Sequence, residues 1–214
     1  METALIRVEN VSKVFKKEVV LDDISVSFEK GKIHGIIGRN GSGKTVLFKC
    51  ICGFVPTSSG TITVNNQIIG KDTDIPDDIG IIIETPGFLP NYSGYKNLKM
   101  LAGIRNEIGK AEIREAMTTV GLDWKSKKTV KKYSLGMRQR LGIAQAIMDN
   151  PKILILDEPM NGLDKKGVAE MREVLKGLRE KGKMIILASH NSEDIKELCD
   201  CVYEMDGGKL EQKK

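Results

Sequence analysis

The stretch KIHGIIGRNGSGKTVLFKCICGF, residues 32–54, constrains the fold more than any other part of the chain. An apolar strand runs through a glycine loop straight into a helix, and the loop, GRNGSGKT at 38–45, matches G-x-x-x-x-G-K-[ST]. Gly41 and Gly43 let the backbone curl so that successive N–H groups point inward, while the dipole of the following helix adds positive potential at the same place. A nest of this kind takes phosphate oxygens. Lys44 would reach the β and γ phosphates of a nucleotide, and the Thr45 hydroxyl would bind Mg²⁺. Gly38, Arg39, Asn40, Gly41, Ser42, Gly43, Lys44, Thr45 and Val46 are therefore the candidate nucleotide-binding residues. A glycine turn that binds nothing would leave unexplained a lysine at the mouth of a helix whose dipole disfavours a cation.

KILILDEP supplies the complementary half. Ile153 to Leu156 make a buried central strand, and two carboxylates follow at its carboxyl end, where ligands of α/β sheets bind. Asp157 is placed to hold the Mg²⁺ shell. Glu158, on the other side, can polarise a water in line with the γ phosphate, the role of a general base. KMIILASHN repeats the design, an apolar strand at 185–187 running out into Ser189 and His190. A histidine there can donate to the γ phosphate or hold Glu158. His34, inside an apolar strand, reads as a packed core residue.

The rest of the chain has a consistent texture. IRVENV (6–11), ISVSFE (24–29) and TITVNN (61–66) alternate as an antiparallel layer does, placing residues 1–31 and 55–84 in a β layer. Residues 32–54 and 150–214 read as a nucleotide-binding core with a mainly parallel, RecA-like sheet covered on both faces. From 88 to 149 the pattern is helical, with LKMLAGI and AEIREAMTTVGL amphipathic and Pro151 closing the last helix, and further helices follow at about 165–181 and 192–200. The fold class is thus α/β: a P-loop core with an antiparallel β subdomain and an inserted helical subdomain, in one domain of 214 residues.

Composition narrows the function. A net charge of +5 and 5% aromatic residues argue against a nucleic-acid surface. The amino terminus has no signal-peptide pattern and no apolar run is long enough to cross a bilayer, so a soluble, cytosolic chain is expected. Cys50 with Cys52 and Cys199 with Cys201 lack a usual zinc spacing and read as buried reduced thiols.

Phosphate loop, YSLGMRQR (133–140), ILDEP, NGLD (161–164) and a strand-end histidine, in this order, resemble the ATP-binding cassette (ABC) family over essentially the whole chain. The resemblance implies an ATPase using ATP and Mg²⁺. It also implies that the helix end at Ser134 and Gly136 faces the nucleotide of a second copy in a head-to-tail dimer, and that Asn161 to Asp164 cross the dimer seam. Phe15 stands where the family stacks an aromatic ring on adenine. Glu84, in GIIIETPGF, stands where the family usually has a glutamine that senses Mg²⁺ and water, which makes it a catalytic and metal-site candidate. Leu135 and Met137 replace the usual signature glycine and glutamine. These departures resemble the branch serving bacitracin-type and lantibiotic resistance or export.

The implied function is the ATPase subunit of a transporter, peripheral on the cytoplasmic face of the membrane through a separate membrane subunit. Phe88, Leu89, Tyr92 and Tyr95 are candidates for the groove receiving that subunit, and KSKKTVKK (125–132) reads as a solvated loop or a headgroup contact. A non-transport cassette for DNA repair, translation or cluster assembly keeps the same chemistry but commonly carries a coiled-coil insertion or a second cassette. A small P-loop kinase would lack the signature helix and His190.

Overall fold

The computed structural model describes residues 4–84, 86–105 and 108–214. The first third holds β1 (Ala4–Phe15), β2 (Glu18–Glu29), β3 (Ile33–Ile37), α1 (Lys44–Ile51), β4 (Ser59–Val64), β5 (Gln67–Ile68) and β6 (Ile79–Ile82). Three helices follow, α2 (Gly94–Arg105), α3 (Lys110–Thr119) and α4 (Leu135–Ile147). The chain ends with β7 (Ile153–Asp157), α5 (Lys165–Glu180), β8 (Met184–Ala188), α6 (Ser192–Leu198), β9 (Cys201–Asp206) and β10 (Lys209–Gln212).

Among the described residues the strands form two sheets. One is antiparallel in the order β2-β1-β4-β5, and the other has six strands in the order β10-β9-β3-β8-β7-β6. In the second, β9 and β10 pair antiparallel while β9, β3, β8, β7 and β6 run parallel. β7 up to Leu156 and the whole of β8 are apolar at every position because each face meets a different core. Ile153 and Ile155 of β7, with Met184, Ile186 and Ala188 of β8, pack with Leu47, Phe48 and Ile51 of α1 and with Ile6, Phe28 and Ile62 of the antiparallel sheet. Leu154, Leu156, Ile185 and Leu187 pack on the opposite side with helices α2 to α6. This division by alternate residues is what a strand period of two dictates.

The structure corrects one boundary. Residues 79–82 were expected in the antiparallel layer, but β6 pairs parallel with β7, from Ile79 opposite Ile153 to Ile82 opposite Leu156. Its IGII run is apolar at successive positions, the mark of a strand covered on both faces. A Cβ at Gly80 would collide with the Ala146 carbonyl, so α4 seats directly on this strand. The 88–149 stretch is also less helical than its composition suggests. Residues 120–134 run as loop with a single 3-10 turn at Val130–Lys132, whose backbone N–H groups bond Tyr92 and Pro90 carbonyls at 2.9 Å. The break begins at Gly121, with φ 73°, and continues through the lysine run. Helix α4 stops at Ile147, before Pro151, with Asn150 at φ 51°.

His34 lies in β3, 1% exposed, between the rings of Phe28 and Tyr203 at 5.2 and 6.1 Å. Burial pushes its imidazole below the ordinary value of 6.5, with the bond to the Glu29 backbone opposing. Because the folded protein holds this proton less tightly than the unfolded chain, stability is full above the ordinary histidine pKa. It falls as pH drops from there toward the folded value. Urea midpoints measured above and below that pKa should fall less in His34→Phe than in the wild type; equal falls would remove His34 as the source.

Candidate active site

A cavity of about 620 Å³ opens at the carboxyl ends of β3 and β7, lined by Asn40 to Val46, Val20, Glu84, Leu135, Gln139, Asp157, Glu158 and Asn161. The phosphate-loop residues therefore meet all three acidic candidates in one space. Gly43 caps α1 at φ 111°, where a Cβ would lie 2.8 Å from the Val20 carbonyl, so only glycine takes this turn without strain. Lys44 folds back over the loop, its Nζ donating to the Gly38 and Arg39 carbonyls at 2.7 and 3.0 Å. Ser42 Oγ is buried without a hydrogen-bond partner among the described residues, a polar group that a ligand oxygen would satisfy. A triphosphate fits this cradle.

Thr45 Oγ1 donates to Asp157 Oδ2 at 2.7 Å, so the hydroxyl and the carboxylate that would share a magnesium ion already meet. Both are hard oxygen donors, one in the first turn of α1 and one at the end of β7, which suits Mg²⁺. When bound with nucleotide, Mg²⁺ would neutralise phosphate charge there.

Glu158 is held by its backbone. It takes φ 51°, its N–H donates to the Ala188 carbonyl at 3.0 Å, and its carbonyl accepts from Gln139 Nε2 at 3.2 Å. A left-handed conformation at a non-glycine residue costs about 1–3 kcal/mol and persists only where surrounding bonds impose it. Its Oε2 lies 2.9 Å from His190 Nδ1. An ionised carboxylate only accepts, so Nδ1 carries the proton. Of the two contacts considered for His190 from sequence, the structure records this one.

Glu84 also has a left-handed backbone, at φ 61°, and its Oε1 accepts from Lys49 Nζ at 2.7 Å. Thr85, beside it in the motif, lies outside the described residues. Phe15 does not line the cavity. It is 43% exposed at the end of β1, with Lys13 Nζ 4.7 Å from the ring centroid, so it is no core residue.

Ser134 caps α4, its Oγ accepting from the Met137 N–H at 3.1 Å. Neither Ser134 nor Gly136 lines the cavity, although Leu135 and Gln139 do. Gly136 has a reason within its own chain, since a Cβ there would lie 2.9 Å from the Gly162 carbonyl. Gly162 in turn leaves room for Leu135, whose side chain rests against it. Asp164 caps α5, accepting from the Gly167 N–H at 2.8 Å.

Sequence reasoning missed the support of the histidine turn. Arg172 Nε and Nη2 donate to Asp194 Oδ1 at 2.9 and 2.6 Å, Ser189 Oγ donates to Asp194 Oδ2 at 3.3 Å, and the Asn191 N–H donates to Ser189 Oγ at 3.1 Å. The network grips the chain on both sides of His190. In sequence Asp194 is merely one acid in the first turn of SEDIKEL, where acids are common for dipole reasons. Asp194 is 2% exposed. Asp194→Ala should therefore destabilise the fold by about 1–3 kcal/mol, because it leaves a largely buried guanidinium with only the exposed Glu193 carboxylate, 3.3 Å from Nη2. Chemical denaturation checks this; a loss within the range of an ordinary surface substitution would show that the network carries no weight.

Fold and cavity together define a P-loop nucleotide triphosphatase with an inserted helical lobe. The profile of the ABC transporter family matches residues 21–161, and the chain belongs to that family as one of its ATP-hydrolysing cassettes. It is 44% identical over 207 residues to the uncharacterized ABC transporter ATP-binding protein YybJ of Bacillus subtilis, covering 97% of this chain and 95% of the relative. It is 40% identical to the bacitracin transport ATP-binding protein BcrA of Enterococcus faecalis, over 96% of this chain and 68% of that one. The dimeric structure of MJ0796, a bacterial ABC transporter cassette, superposes with a TM-score of 0.86 at 22% identity, covering 98% of this chain and 99% of that one.

Proposed function

We propose that this cassette closes with a second copy around two ATP molecules and drives a separate membrane subunit, from the cytoplasmic face, in the export of or resistance to a peptide antibiotic or similar compound. The observation that carries the reading is the Glu158–His190 pair, 2.9 Å apart at the edge of the phosphate-loop cavity. Glu158 serves as the base that accepts a proton from the attacking water. His190 holds that base in place, and Lys44 with the loop N–H groups binds the phosphates. Each chain has one phosphate loop and one capped signature helix, and Ser134 lies outside its own cavity, so a two-fold dimer supplies what a single copy lacks. Likeness to bacitracin transport proteins supports the cargo class.

A second cavity supports the membrane partner. An apolar groove of about 430 Å³ runs between the core sheet and the helical lobe, lined by Phe54, Ile81, Ile83, Pro86, Leu101 and Ile104 among others. Phe54 and Ile104 are 53% and 78% exposed, more than isolated side chains need be. The aromatic candidates chosen from sequence do not line it. Phe88 and Tyr95 pack against the helical-lobe core, while Leu89 and Tyr92 are exposed elsewhere. No helix among the described residues is long and apolar enough to cross a membrane.

Glu158→Gln should keep ATP binding, lower hydrolysis by about 10²–10⁴-fold, and scatter light as a dimer in MgATP. A protein that binds ATP yet stays monomeric would refute the dimer. The Phe54→Ser, Ile104→Ser double variant should retain soluble ATPase activity and lose co-purification with a polytopic membrane protein; undiminished co-purification would move the docking site elsewhere.

A further inference from the structure

Glu84 follows the end of β6 by two residues, and among the acidic side chains of the cavity it is the one whose recorded partner is a lysine. Lys49 Nζ donates to Glu84 Oε1 at 2.7 Å. Lys49 lies one helical turn beyond Thr45 on α1, so the two share a face of that helix. The other carboxylates have different partners, Thr45 for Asp157 and His190 for Glu158. The segment carrying Glu84 touches both cavities: Glu84 lines the nucleotide cavity, and Ile83, Pro86 and Gly87 line the apolar groove.

We propose that Lys49 is a positioning residue for Glu84. It holds and neutralises this carboxylate while no cation is bound, and a divalent cation arriving with nucleotide competes with it for the same oxygens. The reasoning is electrostatic. A free carboxylate facing the space of a triphosphate repels it, and either Lys49 or the cation cancels that repulsion. The ion pair thus sets how strongly nucleotide binding depends on the cation. The inference rests on nucleotide binding at the phosphate loop, as assigned above.

The test is the affinity for ATP, measured by calorimetry in EDTA and again with Mg²⁺, for the wild type, Lys49→Met, Glu84→Gln and the double variant. Lys49→Met should weaken cation-free ATP by about fivefold, the order of effect of uncovering one charge near the phosphates at an effective dielectric between that of a protein surface and that of water. Mg²⁺ should erase most of that difference. Adding Lys49→Met to Glu84→Gln should change cation-free affinity little, since no charge remains to be held. Lys49→Arg should behave as the wild type, and Lys49→Gln should repeat the loss in a side chain that keeps a hydrogen-bond donor. An equal loss with and without Glu84 would mean that Lys49 acts on the phosphates directly, and would overturn the proposal. Four equal affinities in EDTA would also overturn it. A wild type that binds no MgATP would instead overturn the nucleotide reading itself, a distinguishable result.

Discussion

Parallel pairing across β3, β8 and β7 carries the rest of the structure. Ile36 lies opposite Ala188, and Ala188 opposite Asp157, so three strands reach their carboxyl ends on one line. Each is covered on both faces, and apart from His34 each is apolar until its last residue. The charged side chains of these strands therefore appear where the strands stop. Gly38, Glu158 and His190 all follow within two residues of that line. The cavity is the place where three buried strands become able to carry charge, and helix α1 brings its N-terminus to the same edge.

Such a site concentrates negative charge before any phosphate arrives. Asp157, Glu158 and Glu84 face one space. Each is restrained differently: Asp157 by a hydroxyl, Glu158 by an imidazole and a strained backbone, Glu84 by an ammonium and a strained backbone. These restraints suit different tasks. A hydroxyl leaves the carboxylate charge available to a cation. An imidazole keeps a carboxylate oriented while contributing a proton that can move. An ammonium cancels charge but yields to a stronger cation, since the Lys49–Glu84 pair is half open to solvent and screened.

Much of this was legible from residue order, because the phosphate loop, KILILDEP and KMIILASH declare both their elements and their chemistry within a few residues. Short-range pattern reads strands and their ends well. It reads long-range choice poorly, and β6 shows why: the run IGII fits either sheet, and only its pairing with β7 decides. The positions of Glu84 and Glu158 in left-handed backbone carry no periodic signal at all. Lys49, Arg172 and Asp194 escaped because each looks like an ordinary surface charge on a helix, and their roles arise from partners 35 and 22 residues away. The groove between sheet and lobe was not read from sequence for a related reason. Aromatic residues drew attention to 88–98, but exposure of Phe54 and Ile104 depends on how the lobe docks on β6.

That docking joins the two cavities mechanically. Helix α4 places Leu135 and Gln139 at the nucleotide cavity and Gln145 and Ala146 at the groove. Its span is about 20 Å at 1.5 Å per residue, and nothing in its interior interrupts the hydrogen-bond ladder. At one end Gln139 holds the Glu158 carbonyl; at the other the backbone of Ala146 seats on Gly80. A close-packed helix anchored at both ends moves as a body rather than bending. Helix α4 is thus a wall of both cavities, and a partner seated in the groove would lie against the far end of the helix whose near end meets the nucleotide space.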